Sequence, residues 1–353
     1  MKISFILPGL IKIPIGGVKV IYRYAEELAK LGHKVSIFSP IREGYHFHHL
    51  LKAGIVTIRD CWHEVENKPY YNTPPGVKHH IIPLPSLKHI SDGDAIIATG
   101  WQTAYWVDSF PPEKGTKFYF IQNHETYLGN ERTINSTWTL PLKKIVIAHW
   151  LKKTAEKMGE RAYGPIPNAI DPDELYITNP IGNRSSIISM LYHRLPIKGA
   201  HYGIEALEKV KESNPNLKAT IFSSRTPRIT IPNWITLEIR PDIDQLREIY
   251  NASAIFLHTS HREGWGLPPM EAIACGCSVV AMANDGIQEY ITHNESGMLS
   301  SIGNVNAMIQ NIQYLLDNPK ERVRLAHTGH KKINEYSWKK NAKQFEEILT
   351  KTI

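Results

Sequence analysis

The sequence has few cysteines and no long apolar run, and both absences narrow the class of protein. Only three of its 353 residues are cysteine, namely Cys61, Cys275 and Cys277, and so odd and sparse a set does not make a disulfide framework. No stretch approaches the ~18 uninterrupted apolar residues of a membrane-spanning helix. The apolar run at residues 3–7 has no small-residue cleavage pattern after it, so we expect a first strand there rather than a signal peptide. These features predict a cytoplasmic protein.

The composition is that of a globular, basic protein. Hydrophobic residues make up 42% and charged residues 21% of the chain, which excludes a largely disordered protein. The 41 Lys and Arg exceed the 34 acids and give a net charge of +7, which suits an anionic partner such as a nucleotide, a phospholipid surface or a nucleic acid. Because no helix-turn-helix, zinc-finger or RNA-binding signature is present, we expect no nucleic-acid partner. His46, His48 and His49 have no partners at metal-site spacing, so no zinc site is predicted there.

Apolar strands alternate with helices along the whole chain. A strand at residues 3–7, a loop and an amphipathic helix that ends at Gly32 lead into a second strand at 35–38, and this order predicts a parallel sheet covered on both faces. Similar apolar runs recur at residues 95–98, 118–121, 144–147, 187–192, 218–223, 234–239, 254–257 and 278–281. A proline-rich connector at 165–172 separates two such halves. We therefore predict an α/β protein of two domains with repeated βα units, residues 1–167 and residues 168–337.

The segment from His258 to Val280 carries the strongest chemical signal. A strand ends at Leu257, the glycine-rich loop after it carries Glu263, and the following helix carries Glu271. A strand–loop–helix of this kind places backbone N–H groups at the carboxyl edge of a sheet, where anionic ligands bind. Carboxylates repel phosphate but accept hydrogen bonds from hydroxyls, so a nucleotide sugar, with phosphates beside hydroxyl-rich rings, fits this segment. The alternative is a buried helix start with two solvated acids.

Residues 263–276 resemble the Glu-x7-Glu motif of the retaining glycosyltransferases of family 4, and the resemblance covers nearly the whole chain. That family has the GT-B fold, in which two Rossmann-like domains face each other across a cleft. The resemblance implies that Glu263 lies near the donor sugar, that Glu271 binds the ribose hydroxyls, and that loop amides at Gly266 and Leu267 contact sugar and phosphate. The resemblance further implies that the first domain is the acceptor side, that the second binds the nucleotide sugar, and that the C-terminal helix at residues 338–353 returns to the first domain.

Three further strand ends match the family. Arg194 and Lys198, after the first strand of the second half, are similar to its Arg…Lys-Gly phosphate pair, and such cations can hold a diphosphate. Gly16-Gly17 resembles its N-terminal glycine loop, where backbone approaches a ligand closely, although a tight turn is the alternative. His124 matches a histidine that faces the sugar from the acceptor-side domain; the alternative is a structural histidine.

Two more segments belong to the predicted site. Glu289 lies where the family often has a Glu after two glycines, with Asp285 in place of one of them, and we expect it to cap a helix near the donor. Residues 99–103, at another strand end of the first half, are expected to form part of an acceptor-side wall.

The resemblance therefore implies a retaining glycosyltransferase of the hexosyl type. It would move a sugar from a nucleotide diphosphate sugar to a hydroxyl of a sugar, lipid-linked or other acceptor in cell-envelope glycan or glycolipid synthesis. Since Lys198, Arg194 and backbone amides would meet the charge of the leaving diphosphate, we expect no metal and no cofactor. The alternatives are a nucleotide-sugar epimerase of the same fold and a non-catalytic nucleotide-sugar binder.

Basic residues are concentrated between residues 143 and 161, with Trp150 at the start of a predicted helix. Lys153, Lys157 and Arg161 are four residues apart and so share one face of that helix. This pattern predicts peripheral attachment to an anionic membrane, and the resemblance implies that this is the inner face of the cell membrane. The alternative is an ordinary solvated helix face.

Overall fold

The structure, a computed structural model, describes residues 1–41, 69–83 and 88–353. These residues form two units, unit 1 of Met1–Pro167 with Trp338–Ile353 and unit 2 of Asn168–Ser337. The predictions on His46, His48, His49 and Cys61 lie outside the described residues.

Unit 1 is built on a seven-stranded parallel sheet. Its strands are β1 (Lys2–Ile6), β2 (Lys34–Pro40), β3 (Val77–Ile82), β4 (Ala95–Ala98), β5 (Thr116–Ile121), β6 (Lys143–Val146) and β7 (Ala162–Tyr163), in the order β3-β2-β1-β4-β5-β6-β7. Every residue of β4 is buried, because the central strands of a parallel sheet are covered on both faces.

The helices of unit 1 include the C-terminal one. They are α1 (Gly16–Lys30), α2 (Trp101–Ser109), α3 (Glu131–Ser136), α4 (His149–Lys157) and α10 (Trp338–Thr352). The ring of Phe345 on α10 lies 5.3 Å from that of Tyr24 on α1 and 6.2 Å from that of Phe5 on β1. All three side chains are fully buried, so the apolar face of α10 completes the core of unit 1.

Unit 2 repeats this plan with a six-stranded parallel sheet. Its strands are β8 (Ile187–Tyr192), β9 (Lys218–Ser223), β10 (Ile235–Ile239), β11 (Ile255–His258), β12 (Ser278–Met282) and β13 (Met298–Ser300), in the order β10-β9-β8-β11-β12-β13. Its helices are α5 (Ala200–Ser213), α6 (Ile243–Ala252), α7 (Leu267–Ala274), α8 (Val305–Asp317) and α9 (Pro319–Ile333). Among the described residues, no helix has the length and apolar character needed to cross a membrane.

The pairing of neighbouring strands determines which loops meet. β8 pairs with β11 in unit 2, and β4 pairs with β5 in unit 1, both in parallel. The loops that follow two paired parallel strands leave the same edge of the sheet. The residues after β8 and β11, and those after β4 and β5, are therefore brought side by side.

Candidate functional site

Lys198 and Glu263 form an ion pair at the carboxyl edge of the sheet in unit 2. Lys198 ends a short 3-10 turn after β8, and Glu263 lies in the loop after β11. Lys198 Nζ donates to Glu263 Oε1 at 2.7 Å, with side chains 22% and 13% exposed. The structure thus brings together two of the residues that the sequence predicted for the site.

The two loops are joined by close backbone contacts. Gly199 has φ +62°, and a Cβ at this position would lie 2.3 Å from the carbonyl oxygen of Thr259. The Thr259 hydroxyl donates to the Lys198 carbonyl at 2.9 Å, and the His261 N–H donates to the Ile197 carbonyl at 2.9 Å. Only glycine fits position 199, and the position of Lys198 relative to the β11 loop is therefore fixed by backbone.

Aromatic side chains pack against the loop that carries Glu263. Trp265 stacks on Tyr290 at 5.6 Å between ring centroids, and the buried Tyr290 hydroxyl donates to the Gly266 carbonyl at 2.6 Å. Gly266 has φ +88°, and a Cβ there would lie 2.6 Å from Ile287. This turn ends where α7 begins at Leu267, so the backbone N–H of Leu267 lies at the same sheet edge as Glu263, whereas Pro268 and Pro269 have no N–H.

Glu271 lies early in α7 and is only 8% exposed. The Tyr250 hydroxyl donates to Glu271 Oε2 at 3.2 Å. Burial is the main reason that the pKa of Tyr250 lies well above its usual range, and the carboxylate of Glu271 adds to it. Tyr250 therefore stays a hydrogen-bond donor and holds one oxygen of Glu271.

The loop after β12 lies at the same sheet edge, but it contains a 3-10 turn at Glu289 where an α-helix was predicted. Glu289 ends a short 3-10 turn, Ile287–Glu289, and does not cap an α-helix as expected, because the turn stops at Tyr290. A Cβ on Gly286 would lie 2.7 Å from the Glu263 carbonyl oxygen. The backbone of this loop therefore packs directly against the Glu263 loop.

Arg194 is directed elsewhere in this structure. Its Nε and one terminal nitrogen donate to the carbonyl of Thr226 at 2.9 and 2.6 Å. Its guanidinium thus holds the loop after β9, whereas Lys198 holds Glu263. The predicted Arg–Lys pair is split between two loops.

Two histidines complete the cluster, and the sequence analysis did not identify them. His258 is the last residue of β11, and its Nε2 lies 3.6 Å from Glu263 Oε1. His193 directly follows β8, and its pKa is lowered by burial and by the charge of Lys198. Both histidines lie at the carboxyl ends of buried strands that pair with each other, and this position in the sequence could have indicated a place in the site.

Burial and charge set the protonation states in this cluster. Burial would by itself raise the pKa of Glu263, but the ammonium of Lys198, together with hydrogen bonds from Lys198 and Ser260, brings it below its usual range. Burial lowers the pKa of His258 to about 4. At neutral pH the cluster thus contains a carboxylate, an ammonium and a neutral imidazole.

In unit 1, Gly16-Gly17 forms the start of α1, following β1. The Gln122 side chain, after β5, donates to the Gly17 carbonyl at 3.0 Å. Neither glycine has a positive φ. A Cβ on Gly17 would lie 3.5 Å from the nearest atom of the Gln122 amide, which is an ordinary contact distance, so a close approach of these glycines to a ligand stays a prediction.

His124 lies three residues beyond the end of β5. Its Nε2 is 2.7 Å from Asn135 Oδ1, and its ring meets the buried ring of Trp138 edge-on at 5.5 Å. With Nε2 donating to the amide oxygen, Nδ1 is left as the acceptor. The orientation of His124 is set by the chain itself.

Glu125 is a third candidate site residue, after His258 and His193, that the sequence analysis did not identify. Burial raises its pKa to about 7, while the backbone N–H of Trp101, 3.5 Å from Glu125 Oε2, lowers it. Trp101 begins α2, which follows β4. The residues 99–103 expected to form an acceptor-side wall therefore lie beside a carboxyl group that titrates near neutral pH.

The basic segment differs from its prediction in one respect. Helix α4 ends at Lys157, and Gly159 has φ +77°, so Arg161 does not continue the face that carries Lys153 and Lys157. The helix stops because its last turn closes on the left-handed glycine. Lys153, Lys157 and Arg161 are nevertheless all exposed.

Other residues of this segment are used inside unit 1. The Lys144 ammonium is buried and pairs with Glu160 at 2.7 Å, Lys152 donates to the Gly164 carbonyl at 3.2 Å, and Leu151 is fully buried.

In the described part of the chain, no group of three or more His, Cys, Asp or Glu side chains is arranged to hold a metal ion.

Known sequences resemble part of this chain. Residues 235–332 match the family described as "Glycosyl transferases group 1". The capsular polysaccharide biosynthesis glycosyltransferase CapM of Staphylococcus aureus is 23% identical over 44% of this chain and 43% of its own length. An alpha-maltose-1-phosphate synthase of Mycobacterium tuberculosis is 32% identical over 33% and 32%. The matched segments thus span less than half of these two relatives.

Solved structures resemble the whole chain. HepE of Anabaena, in complex with UDP-glucose, has a TM-score of 0.77 at 17% identity and covers 99% of this chain and 100% of its own. Sucrose-phosphate synthase of Thermosynechococcus elongatus has a TM-score of 0.73 at 14% identity, with coverage of 100% and 99%. The chain therefore has the two-domain, parallel-sheet Rossmann-like fold of the GT-B glycosyltransferases.

Proposed function

We propose that this protein is a retaining glycosyltransferase that moves a sugar from a nucleotide diphosphate sugar to an acceptor hydroxyl, without a metal ion. The observation that carries the proposal is the Lys198–Glu263 pair at 2.7 Å, beside the N-terminus of α7 and the buried Glu271. A cation, the backbone N–H groups of Gly266 and Leu267 and two carboxylates at one sheet edge suit phosphates joined to hydroxyl-rich rings. The match of residues 235–332 to group 1 glycosyltransferases supports the same chemistry.

Each residue has a role in this proposal. Lys198 meets the negative charge that grows on the leaving diphosphate, and the N–H groups at Gly266 and Leu267 add to it. Glu263 accepts hydrogen bonds from the donor sugar, and Glu271 accepts them from the ribose. In unit 1, His124 and the neighbouring Glu125 are assigned to the sugar and the acceptor hydroxyl. Arg194 would have to leave Thr226 to reach a phosphate.

The acceptor is proposed to belong to cell-envelope glycan or glycolipid synthesis, at an anionic membrane face. CapM, which resembles part of this chain, is named for capsular polysaccharide biosynthesis. Lys153, Lys157 and Arg161 supply an exposed basic surface in unit 1, and basic residues are attracted to anionic lipid.

A panel of nucleotide diphosphate sugars tests the function. Thermal shift identifies the donors, since ligand binding raises the unfolding temperature, and chromatography then follows release of the nucleoside diphosphate with and without acceptor. We expect release that survives chelation of divalent metals. Loss of activity that added metal restores would contradict metal independence. An epimerised, intact nucleotide sugar would indicate an epimerase, and binding without any turnover would indicate a binder.

A further inference from the structure

Glu263 has a polar neighbour, His258, whose Nε2 makes no hydrogen bond within the described residues. Nε2 of His258 lies 3.6 Å from Glu263 Oε1, the oxygen that accepts from Lys198 at 2.7 Å. His258 is 6% exposed, and within the described residues its Nε2 is shielded from solvent without a hydrogen-bond partner. A buried polar atom without a partner is unfavourable, so its position beside Glu263 requires a physical reason.

A bound diphosphate would compete with Glu263 for Lys198. A lysine ammonium binds phosphate as a point charge, and Lys198 is the cation placed beside the N-terminus of α7. A carboxylate only 13% exposed that loses its cation must find another donor, because an uncompensated buried charge is strongly unfavourable. The Ser260 hydroxyl also acts on Glu263, but its single proton is placed to donate to the Arg262 carbonyl at 2.9 Å, so in the described part of the cluster the unpartnered His258 Nε2 is the donor that remains available.

We propose, on the basis of the glycosyltransferase function above, that His258 is a positioning residue that binds Glu263 Oε1 when Lys198 turns to the donor diphosphate. A shortening of less than 1 Å brings 3.6 Å to ordinary hydrogen-bond length. The imidazole stays neutral and donates its Nε2–H, and no proton is transferred. Occupancy of the phosphate site is thereby coupled to the alignment of the carboxylate that faces the donor sugar.

Nuclear magnetic resonance of the full chain labelled with ¹⁵N-histidine tests the exchange, with UDP, GDP and ADP as probes. At saturation with a nucleotide that binds, we expect the Nε2–H proton of His258 to move downfield, as a new hydrogen bond to a carboxylate requires. In Lys198→Ala, this proton should already have the shifted position without nucleotide. A nucleotide that binds without moving the signal, or an unprotonated Nε2 in the complex, overturns the proposal. If none of the three nucleotides binds at millimolar concentration, the proposed function fails as well.

Two variants separate positioning from general support of the fold. His258→Gln keeps an N–H donor of similar reach, whereas His258→Leu removes it. We expect the nucleotide Kd to stay within about threefold in the Gln variant and to rise about tenfold in the Leu variant. His330→Gln, a histidine of α9 that contacts the Ile273 carbonyl, is the matched control and should leave the Kd unchanged. Equal losses in the Gln and Leu variants contradict a donor role. If the Leu variant does not fold, the Gln variant and the resonance experiment still decide.

Discussion

Lys198 Nζ lies 2.7 Å from Glu263 Oε1, although the two residues are separated by 65 positions in sequence. The pair exists because β8 and β11 are hydrogen-bonded neighbours and the loops after them leave the same sheet edge. Gly199 then brings the backbone of the Lys198 turn against Thr259. The Lys198 ammonium, which we assign to the leaving phosphate, is therefore positioned by the Glu263 carboxylate, which we assign to the donor sugar.

Lys198→Ala should reduce kcat/KM by about 30- to 1,000-fold, since one contact to developing charge is worth ~2–4 kcal/mol. Steady-state kinetics with the identified donor measures the effect. Lys209→Ala is the control, because Lys209 is exposed on α5 and pairs with the exposed Glu212. An unchanged kcat/KM in Lys198→Ala would remove this residue from the site.

Glu271→Gln should weaken donor binding by about 10- to 100-fold and change kcat little. Hydrogen bonds to a charged group contribute roughly 1.5–3 kcal/mol, and ribose contacts change little as the glycosidic bond breaks. Calorimetry of nucleotide binding gives the Kd. Tyr250→Phe removes only the 3.2 Å hydrogen bond to Glu271 and should have a smaller effect in the same direction. A loss confined to kcat would argue against a ribose contact.

The positions of the core strands could be predicted from the sequence to within two residues at each end, because buried parallel strands are continuous apolar runs. β3, β7 and β13 could not, since each is a sheet edge and is either short or, like β3 with His79 and His80, partly polar. The predicted helix face of Lys153, Lys157 and Arg161 does not extend to Arg161, because the left-handed conformation of Gly159 ends α4. Gly159 is the sequence signal that predicts the end of this helix.

The site was only partly predictable for a different reason. Glu263, Glu271 and Lys198 lie in a recognisable strand–loop–helix context, and local sequence is sufficient to find them. His258 is part of a buried strand by its pattern, and its proximity to Glu263 depends on the turn between them. The partner of Arg194 is a carbonyl 32 residues away, after β9, so only the fold reveals it.

Glu125 should make unit 1 less stable as the pH rises towards neutrality. Its pKa is about 7 in the folded chain against an ordinary value of 4.5, so the folded state retains a proton that the unfolded state loses. Stability is therefore fully present below pH ~4.5 and falls as the pH rises through 7, by at most about 3 kcal/mol. Hydrogen exchange of β4 and β5 amides in the wild type and in Glu125→Gln should show this slope only in the wild type. Glu131→Gln, at an exposed position in the first turn of α3, should keep the slope, and a wild type without it would contradict the assignment.

The combined variant Lys153→Ala, Lys157→Ala and Arg161→Ala should lose binding to anionic vesicles. Each basic residue near an anionic surface contributes roughly 1 kcal/mol, so partitioning should fall by up to about a hundredfold. Flotation with vesicles of phosphatidylserine and phosphatidylcholine, at low and high salt, is the measurement. The control variant carries Lys339→Ala, Lys343→Ala and Lys351→Ala, which remove the same charge from exposed positions on α10. Equal binding by both variants, or none by the wild type, would leave the basic surface without a membrane role.

The account depends most directly on what the protein does to a nucleotide diphosphate sugar. The decisive measurement is nuclear magnetic resonance of the products formed from a stabilising donor and a hydroxyl acceptor, with wild type and Glu263→Gln side by side. We predict a free nucleoside diphosphate and a new glycoside with the anomeric configuration of the donor, formed at least a hundredfold more slowly by Glu263→Gln. An inverted product would contradict retention. An intact donor, or equal rates for the two proteins, would contradict sugar transfer at the Lys198–Glu263 site.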